Sequence, residues 1–202
     1  SVKTHSVKAP RIAMMHTWIH TEAEGWWRIE FDKYKVPFDY ISTQDVAKDP
    51  SLRSKYDVII FAPVQRGSKS MIITGMPMYG NPLPWKTTEL TPNIGKIDST
   101  DDMRPGLGLD GLKHLQEFVS DGGLLITARD TSSFAVEYGF GAGVSETPVR
   151  KMRMPGTIVK SKIVDEKSPL LYGYSDNLSI FAASGPIFGV SNFAGGRGGR
   201  SR

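Results

Sequence analysis

Apolar and polar positions fall into two alternating patterns along the first two thirds of the chain. Arg11-Ile-Ala-Met-Met-His16 follows Pro10 and has the length and flanks of a buried strand. Thr21-Glu-Ala-Glu24 then offers a helix start, with Thr21 as the cap and Glu24 as its capping-box partner. The spacing of Trp26, Ile29, Glu30 and Lys33 carries that helix to about Lys35, before Pro37 ends it. Phe38-Asp-Tyr-Ile41 reads as a second strand and 46–55 as a polar helix or turn. Tyr56-Asp-Val-Ile-Ile-Phe61, stopped by Pro63, is the clearest strand of the sequence. Strands alternating with helices at this pitch predict parallel crossovers.

From Gln65 to Leu107 the periodicity is lost. Pro77, Pro82, Pro84, Pro92 and Pro105 stand among Met, Tyr and Trp side chains, which fits a functional or covering loop better than a linker. A helix returns from Leu109 to Ser120, with Leu112, Leu115, Phe118 and Val119 on one face and Asp121-Gly-Gly123 at its end. Leu124-Leu-Ile-Thr127 is the fourth strand, and 131–138 a short helix. Past Gly139 the character changes: 158–164 and 178–181 read as strands in a loop-rich, partly antiparallel region. The expected organisation is a linker over 1–9, an α/β domain over 10–190 that is incomplete at its C-terminal end, and a disordered Gly/Arg-rich segment over 191–202.

Charge alters little in this picture. The formal net charge is +4, but Arg197, Arg200 and Arg202 supply three of those charges at the very end. The body is near neutral, so a nucleic-acid-binding face is not expected, although the Gly/Arg end offers RNA an electrostatic contact. The chain has no cysteine, which removes disulfides, thiolate metal sites and a thiol nucleophile together. No run reaches the ~18 apolar residues of a bilayer span, and no membrane association is expected.

In an open parallel sheet, binding groups gather beyond the carboxyl ends of the strands. Those ends hold His16 to Trp18, Ala62 to Gln65, and Ala128 to Asp130. The candidate ligand-binding residues are therefore His16, Trp18, Trp26, Gln65, Arg129 and Asp130, with no catalytic residue assigned. The turn Ala128-Arg129-Asp130-Thr131-Ser132 lies where a strand feeds a helix, the position of a nucleophile elbow. Asp130 or Thr131 as a helix cap is one reading of it. A serine nucleophile, Ser132 or Ser133 served by His16 or His114, is the other. His16 and His20 are four apart, yet they straddle a strand end, and no third ligand is marked, so no metal is expected. Gly106-Leu-Gly108 and Gly122-Gly123 do not follow the first strand, so no dinucleotide or other cofactor is expected.

Eight segments in order carry a family likeness. They are Arg11-Ile-Ala-Met-Met-His-Thr-Trp18, Glu24-Gly-Trp-Trp-Arg28, Val36-Pro-Phe-Asp-Tyr40, Tyr56-Asp-Val-Ile-Ile60, Gly108-Leu-Asp-Gly-Leu112, Phe118-Val-Ser-Asp-Gly-Gly-Leu-Leu125, Met154-Pro-Gly156 and Ser168-Pro-Leu-Leu-Tyr-Gly173. Over residues 10–190 this resembles the class I glutamine-amidotransferase-like domain at the C-terminal end of large bacterial zinc carboxypeptidases of the carboxypeptidase A superfamily. The resemblance implies a flavodoxin-like open sheet and an elbow that has lost its cysteine. It also implies a peptidase domain elsewhere in the same parent chain as partner, and a periplasmic or extracellular setting. The expected function is that of a non-catalytic accessory domain, packing on the peptidase domain or binding a peptide or glycan.

Overall fold

The computed structural model describes residues 6, 8–65, 69–148, 156–174, 177–182 and 185–191. The chain divides into two compact units at Ala142 and Gly143. In the first, strand β1 (Ile12–His16) leads to helix α1 (Glu22–Tyr34) and strand β2 (Asp39–Ser42). Helices α2 (Thr43–Lys48) and α3 (Leu52–Lys55) precede β3 (Val58–Phe61), and α4 (Lys69–Thr74) follows it. After a long irregular segment come α5 (Gly108–Ser120), β4 (Leu124–Thr127) and α6 (Asp130–Glu137).

The four strands form one parallel sheet in the order β2-β1-β3-β4. Met14 lies opposite both Tyr40 and Ile60, and Ile60 opposite Ile126. Parallel register brings His16, Ser42, Phe61 and Thr127 to one edge, which makes that edge the place to look for a site. The α/β architecture expected from the alternating patterns is present: a parallel sheet flanked by helices.

One face of the sheet sends Ala13, Met15, Ile59 and Phe61 into a core with Val46, Leu107, Leu115, Phe118 and Phe134. Burying each of the large side chains stabilises the fold by about 1.5–3 kcal/mol. Gly111 is required where α5 meets α2, because a Cβ there would stand 2.5 Å from Leu107 Cδ1 and 3.2 Å from Ala47 Cα. By strand alternation Met14 and His16 point to the opposite face, and both are buried.

Local signals decide the element ends. Ser42 caps α2 with a full capping box, its hydroxyl accepting from Asp45 N–H at 3.1 Å while the Asp45 carboxylate accepts from Ser42 N–H at 2.8 Å. The expected box at Thr21 and Glu24 does not form: no side chain caps α1, and Glu24 turns inward to Tyr40 instead. Lys35 adopts the left-handed conformation (φ 54°) that closes α1, as glycine does in many helices. At the amino edge of the sheet the Asp57 carboxylate accepts from Arg11 Nη2 at 2.9 Å and from Arg53 Nη1 at 2.8 Å. These guanidinium bonds hold its carboxyl well below the usual range.

The second unit pairs β5 (Val144–Glu146) with β8 (Phe188–Val190), and β6 (Thr157–Lys162) with β7 (Asn177–Ala182), both antiparallel. A 3-10 turn at Pro169–Leu171 lies between β6 and β7. None of residues 143–148, 156–174, 178–182 and 185–191 is buried, and Ile158, Leu170, Phe181 and Val190 are exposed. The Gly/Arg-rich segment from 192 onward, most of the 1–9 linker and the first two residues of the Met154-Pro-Gly156 segment lie outside the described residues.

Candidate ligand-binding site

A cavity of about 430 Å³ opens at the carboxyl ends of β1 and β2. β1 ends on His16, and β2 presents Tyr40, whose ring stacks on the imidazole at 4.2 Å with 9° between planes. Just beyond β1, Trp18 meets the same imidazole edge-on at 4.9 Å. One turn apart on α1, Glu24 and Arg28 reach the same place. The Tyr40 hydroxyl donates to Glu24 Oε1. The Arg28 guanidinium lies 4.4 Å over the Tyr40 ring and 4.0 Å from the same carboxylate oxygen. Burial, then the bond to Glu24, pushes the Tyr40 phenol far above its ordinary range, so it stays a donor at any working pH.

The long segment after α4 forms the outer wall, with Trp85, Asn93 to Asp98 and Met103 lining the cavity. Asp98 Oδ2 lies 2.6 Å from His16 Nε2, while His16 Nδ1 faces the Thr17 carbonyl at 3.3 Å. Both ring nitrogens are thus occupied. The wall is anchored from inside. Gln44 of α2 donates to the carbonyls of Asp102 (2.8 Å) and Pro105 (3.1 Å) and accepts from Thr100 Oγ1 at 2.8 Å. Arg104 forks onto Asp102, with Nε to Oδ1 at 2.8 Å and Nη2 to Oδ2 at 2.6 Å, and its Nη1 donates to the Tyr79 carbonyl at 2.9 Å. That fork holds the Asp102 carboxyl well below the usual range.

Three enclosed side-chain atoms in and beside this cluster have no hydrogen-bond partner among the described residues: Glu24 Oε2, Trp18 Nε1 and His20 Nδ1. The Glu24 side chain is 5% exposed. Native interiors leave few such groups unmet, and each has a reason when it occurs.

A second group sits at the ends of β3 and β4. Arg129 holds φ 57° and ψ −117°, a strained turn from strand into helix for a residue with a side chain. Gln65 is also left-handed, at φ 64°. Asp130 Oδ2 accepts from the N–H groups of Val64 and Gln65, both at 3.0 Å, and so ties the two strand ends together. Thr131 Oγ1 lies within donating distance of the carbonyls of Phe61 (2.7 Å) and Ala128 (2.9 Å), its one hydrogen serving one of them, and accepts from Ala128 N–H (3.0 Å). Ser132 Oγ takes a bond from Thr127 Oγ1 at 3.3 Å. His114 Nδ1 faces the Val46 carbonyl of α2 at 2.9 Å.

The six candidates therefore separate. His16 and Trp18 line the cavity; Gln65, Arg129 and Asp130 form the group at the turn. Trp26 joins neither: it is 67% exposed, on a surface hollow with Gly25 and Ile29. Glu24, Arg28, Tyr40, Trp85 and Asp98 were not among the candidates. The i,i+4 pair Glu24 and Arg28 is readable from the sequence, whereas Asp98, 82 positions from His16, sits in an aperiodic stretch with no local signal. His20 lies 3.5 Å from Glu22 through Nε2. His114 and Glu117 also share helix α5 at metal-site spacing, but Glu117 reaches Lys113 at 3.6 Å. Among the described residues no group of three or more potential metal ligands occurs, and no helix is long and apolar enough to cross a membrane. Compared with known proteins, the chain matches no family profile, no curated protein and no solved structure.

Proposed function

We propose that this chain is a ligand-binding domain that performs no covalent chemistry of its own. The observation that carries the reading is the cavity of about 430 Å³ at the carboxyl end of β1, walled by His16, Trp18, Glu24, Arg28, Tyr40 and Asp98. The turn after β4 supports the second half. It has the strained backbone of a nucleophile elbow, but its strained residue is Arg129, whose guanidinium does not act as a nucleophile. Both imidazoles considered as a base for Ser132 have other partners, which supports the reading: His16 meets Asp98 and Thr17, and His114 Nδ1 meets Val46.

The sheet order β2-β1-β3-β4 and the elbow backbone favour a flavodoxin-like, amidotransferase-like fold. Together with the eight ordered segments, they favour an accessory role in an exported zinc-carboxypeptidase-like protein, with the peptidase domain of the parent chain as partner. The expected gene context is an upstream reading frame encoding a histidine–glutamate–histidine zinc site, and an unrelated upstream domain would remove that part of the proposal. The chemistry is tested by incubation with glutamine, esters and peptides, alongside a fluorophosphonate probe read by intact mass. No turnover and no adduct are expected. An adduct on Ser132 or Ser133 would overturn the non-catalytic reading.

A further inference from the structure

The charged groups around the cavity differ in how much bonding capacity they have left. Glu24 and Asp98 line it, and so do Arg28 and Lys96. Both acids are engaged. Glu24 Oε1 accepts from the Tyr40 hydroxyl, and its Oε2 is enclosed. Asp98 Oδ2 meets His16 Nε2 at 2.6 Å, and its Oδ1 accepts from Ser99 N–H at 2.7 Å. The two bases keep more in reserve. Arg28 stands 4.0 Å from Glu24 Oε1, beyond hydrogen-bond reach, and over the Tyr40 ring, which leaves most of its five N–H donors in hand. Its side chain is 22% exposed. Lys96 is exposed and donates at 3.3 Å to Asn93, another lining residue.

Spare donors that carry positive charge call for an anionic acceptor, and the fork of a guanidinium matches the two oxygens of a carboxylate. The formal charges of Glu24, Asp98, Arg28 and Lys96 cancel, so a single anionic group fits better than a polyanion, whose surplus charge would face both acids. An ammonium group would meet Arg28 and Lys96 and compete with Tyr40 and His16 for the acids. The rest of the wall is apolar: Trp18, Trp85, Ile94, Ile97 and Met103. A ring or branched alkyl body gains about 25 cal/mol per Å² buried there. The volume of about 430 Å³ lies within the usual span of small-ligand pockets, roughly 300–1,000 Å³.

We infer that the cavity binds a small monocarboxylate with an apolar, ring-bearing body, its carboxylate on Arg28 with Lys96 adding attraction. The inference rests on the ligand-binding reading and names the ligand class of that same site. Its test titrates the 202-residue chain with phenylacetate, hydrocinnamate and N-acetylphenylalanine, each beside its primary amide, and with phenethylammonium and phenyl phosphate. Saturation-transfer NMR reads binding. A free aromatic acid and the carboxyl end of a peptide are both represented, and the tighter kind names the source.

At least one acid binds more tightly than about 10 mM, and its amide binds about tenfold or more weakly. Arg28→Met weakens the acid about tenfold or more, and Lys96→Met, at an exposed site, about two- to fivefold. Lys113→Met removes the same charge from α5, outside the cavity lining, and leaves affinity unchanged. If Arg28→Met does not fold, Lys96→Met against Lys113→Met decides. Equal binding of acid and amide, tighter binding of phenyl phosphate or phenethylammonium, or indifference to both pocket variants overturns the carboxylate class. Capture of any of these probes that is lost in Trp18→Ala still leaves the ligand-binding reading standing. No binding of any acid overturns the inference as well. A fluorophosphonate adduct would strike the non-catalytic reading without touching this titration.

Discussion

The pocket beside β1 and the turn after β4 share one edge of one sheet, yet they resolve their polar groups in opposite ways. At the turn the backbone is strained, at Arg129 and Gln65, but the nearby side chains are tied down: Asp130 to two amides, Thr131 to Phe61 and Ala128. At the pocket neither His16 nor Tyr40 carries a left-handed backbone, but charged and aromatic side chains surround an open cavity of about 430 Å³. Strain without a free reactive group supports shape. An open polar cavity without strain supports binding. The difference teaches that elbow geometry alone does not locate function on such a sheet.

Several substitutions would break or sharpen this contrast. Phe134 is fully buried beneath the turn, against Phe61 at 5.7 Å and Tyr138 at 5.0 Å. Phe134→Ala should cost about 3–5 kcal/mol in urea unfolding, the largest effect expected. Asp130→Ala strips the acceptor from Val64 and Gln65 and should cost about 1–2 kcal/mol in the same assay. The stacking of Tyr40 on His16 should not change in Asp130→Ala, read from their ring NMR shifts; a parallel change would merge the two regions.

Acid should separate the regions next. Asp102 is depressed by Arg104 below its ordinary value of 3.8, so its contribution is present above that pH and is lost as pH falls below it. The wall that carries Trp85 should loosen there, seen as increased acrylamide quenching between pH 4 and pH 2.5, and Arg104→Met should show that quenching already at neutral pH. An Arg104→Met protein with wild-type quenching would separate the wall from its anchor.

Arg129→Gly relieves a φ of 57° and should stabilise the chain by about 1 kcal/mol, after allowance for glycine's unfolded-state entropy. A loss of stability would mean that the Arg129 side chain contributes more than its backbone costs. Trp26→Ala should lie within about 0.5 kcal/mol of wild type, because the ring is mostly in solvent.

The four strands were legible because their apolar runs are short, continuous and bounded by proline or glycine. Helix α5 was legible from Leu112, Leu115 and Phe118 recurring on one face. Helix α4 was hidden: six residues inside a stretch whose prolines and glycines mask any period. The capping box of Ser42 and Asp45 went unread, whereas the one expected at Thr21 failed because Tyr40 competes for Glu24. Within the site, His16 and Trp18 were legible from their place at a strand end. Glu24 and Tyr40 come together across 16 positions and Asp98 joins from farther still, and pattern reading has no term for such contacts.

The most direct test is a small-molecule fragment screen by saturation-transfer NMR against three proteins: wild type, Trp18→Ala and Arg129→Gly. Fragments that contact the wild type should lose contact in Trp18→Ala and keep it in Arg129→Gly. Binding that survives Trp18→Ala and disappears with Arg129→Gly would contradict the account.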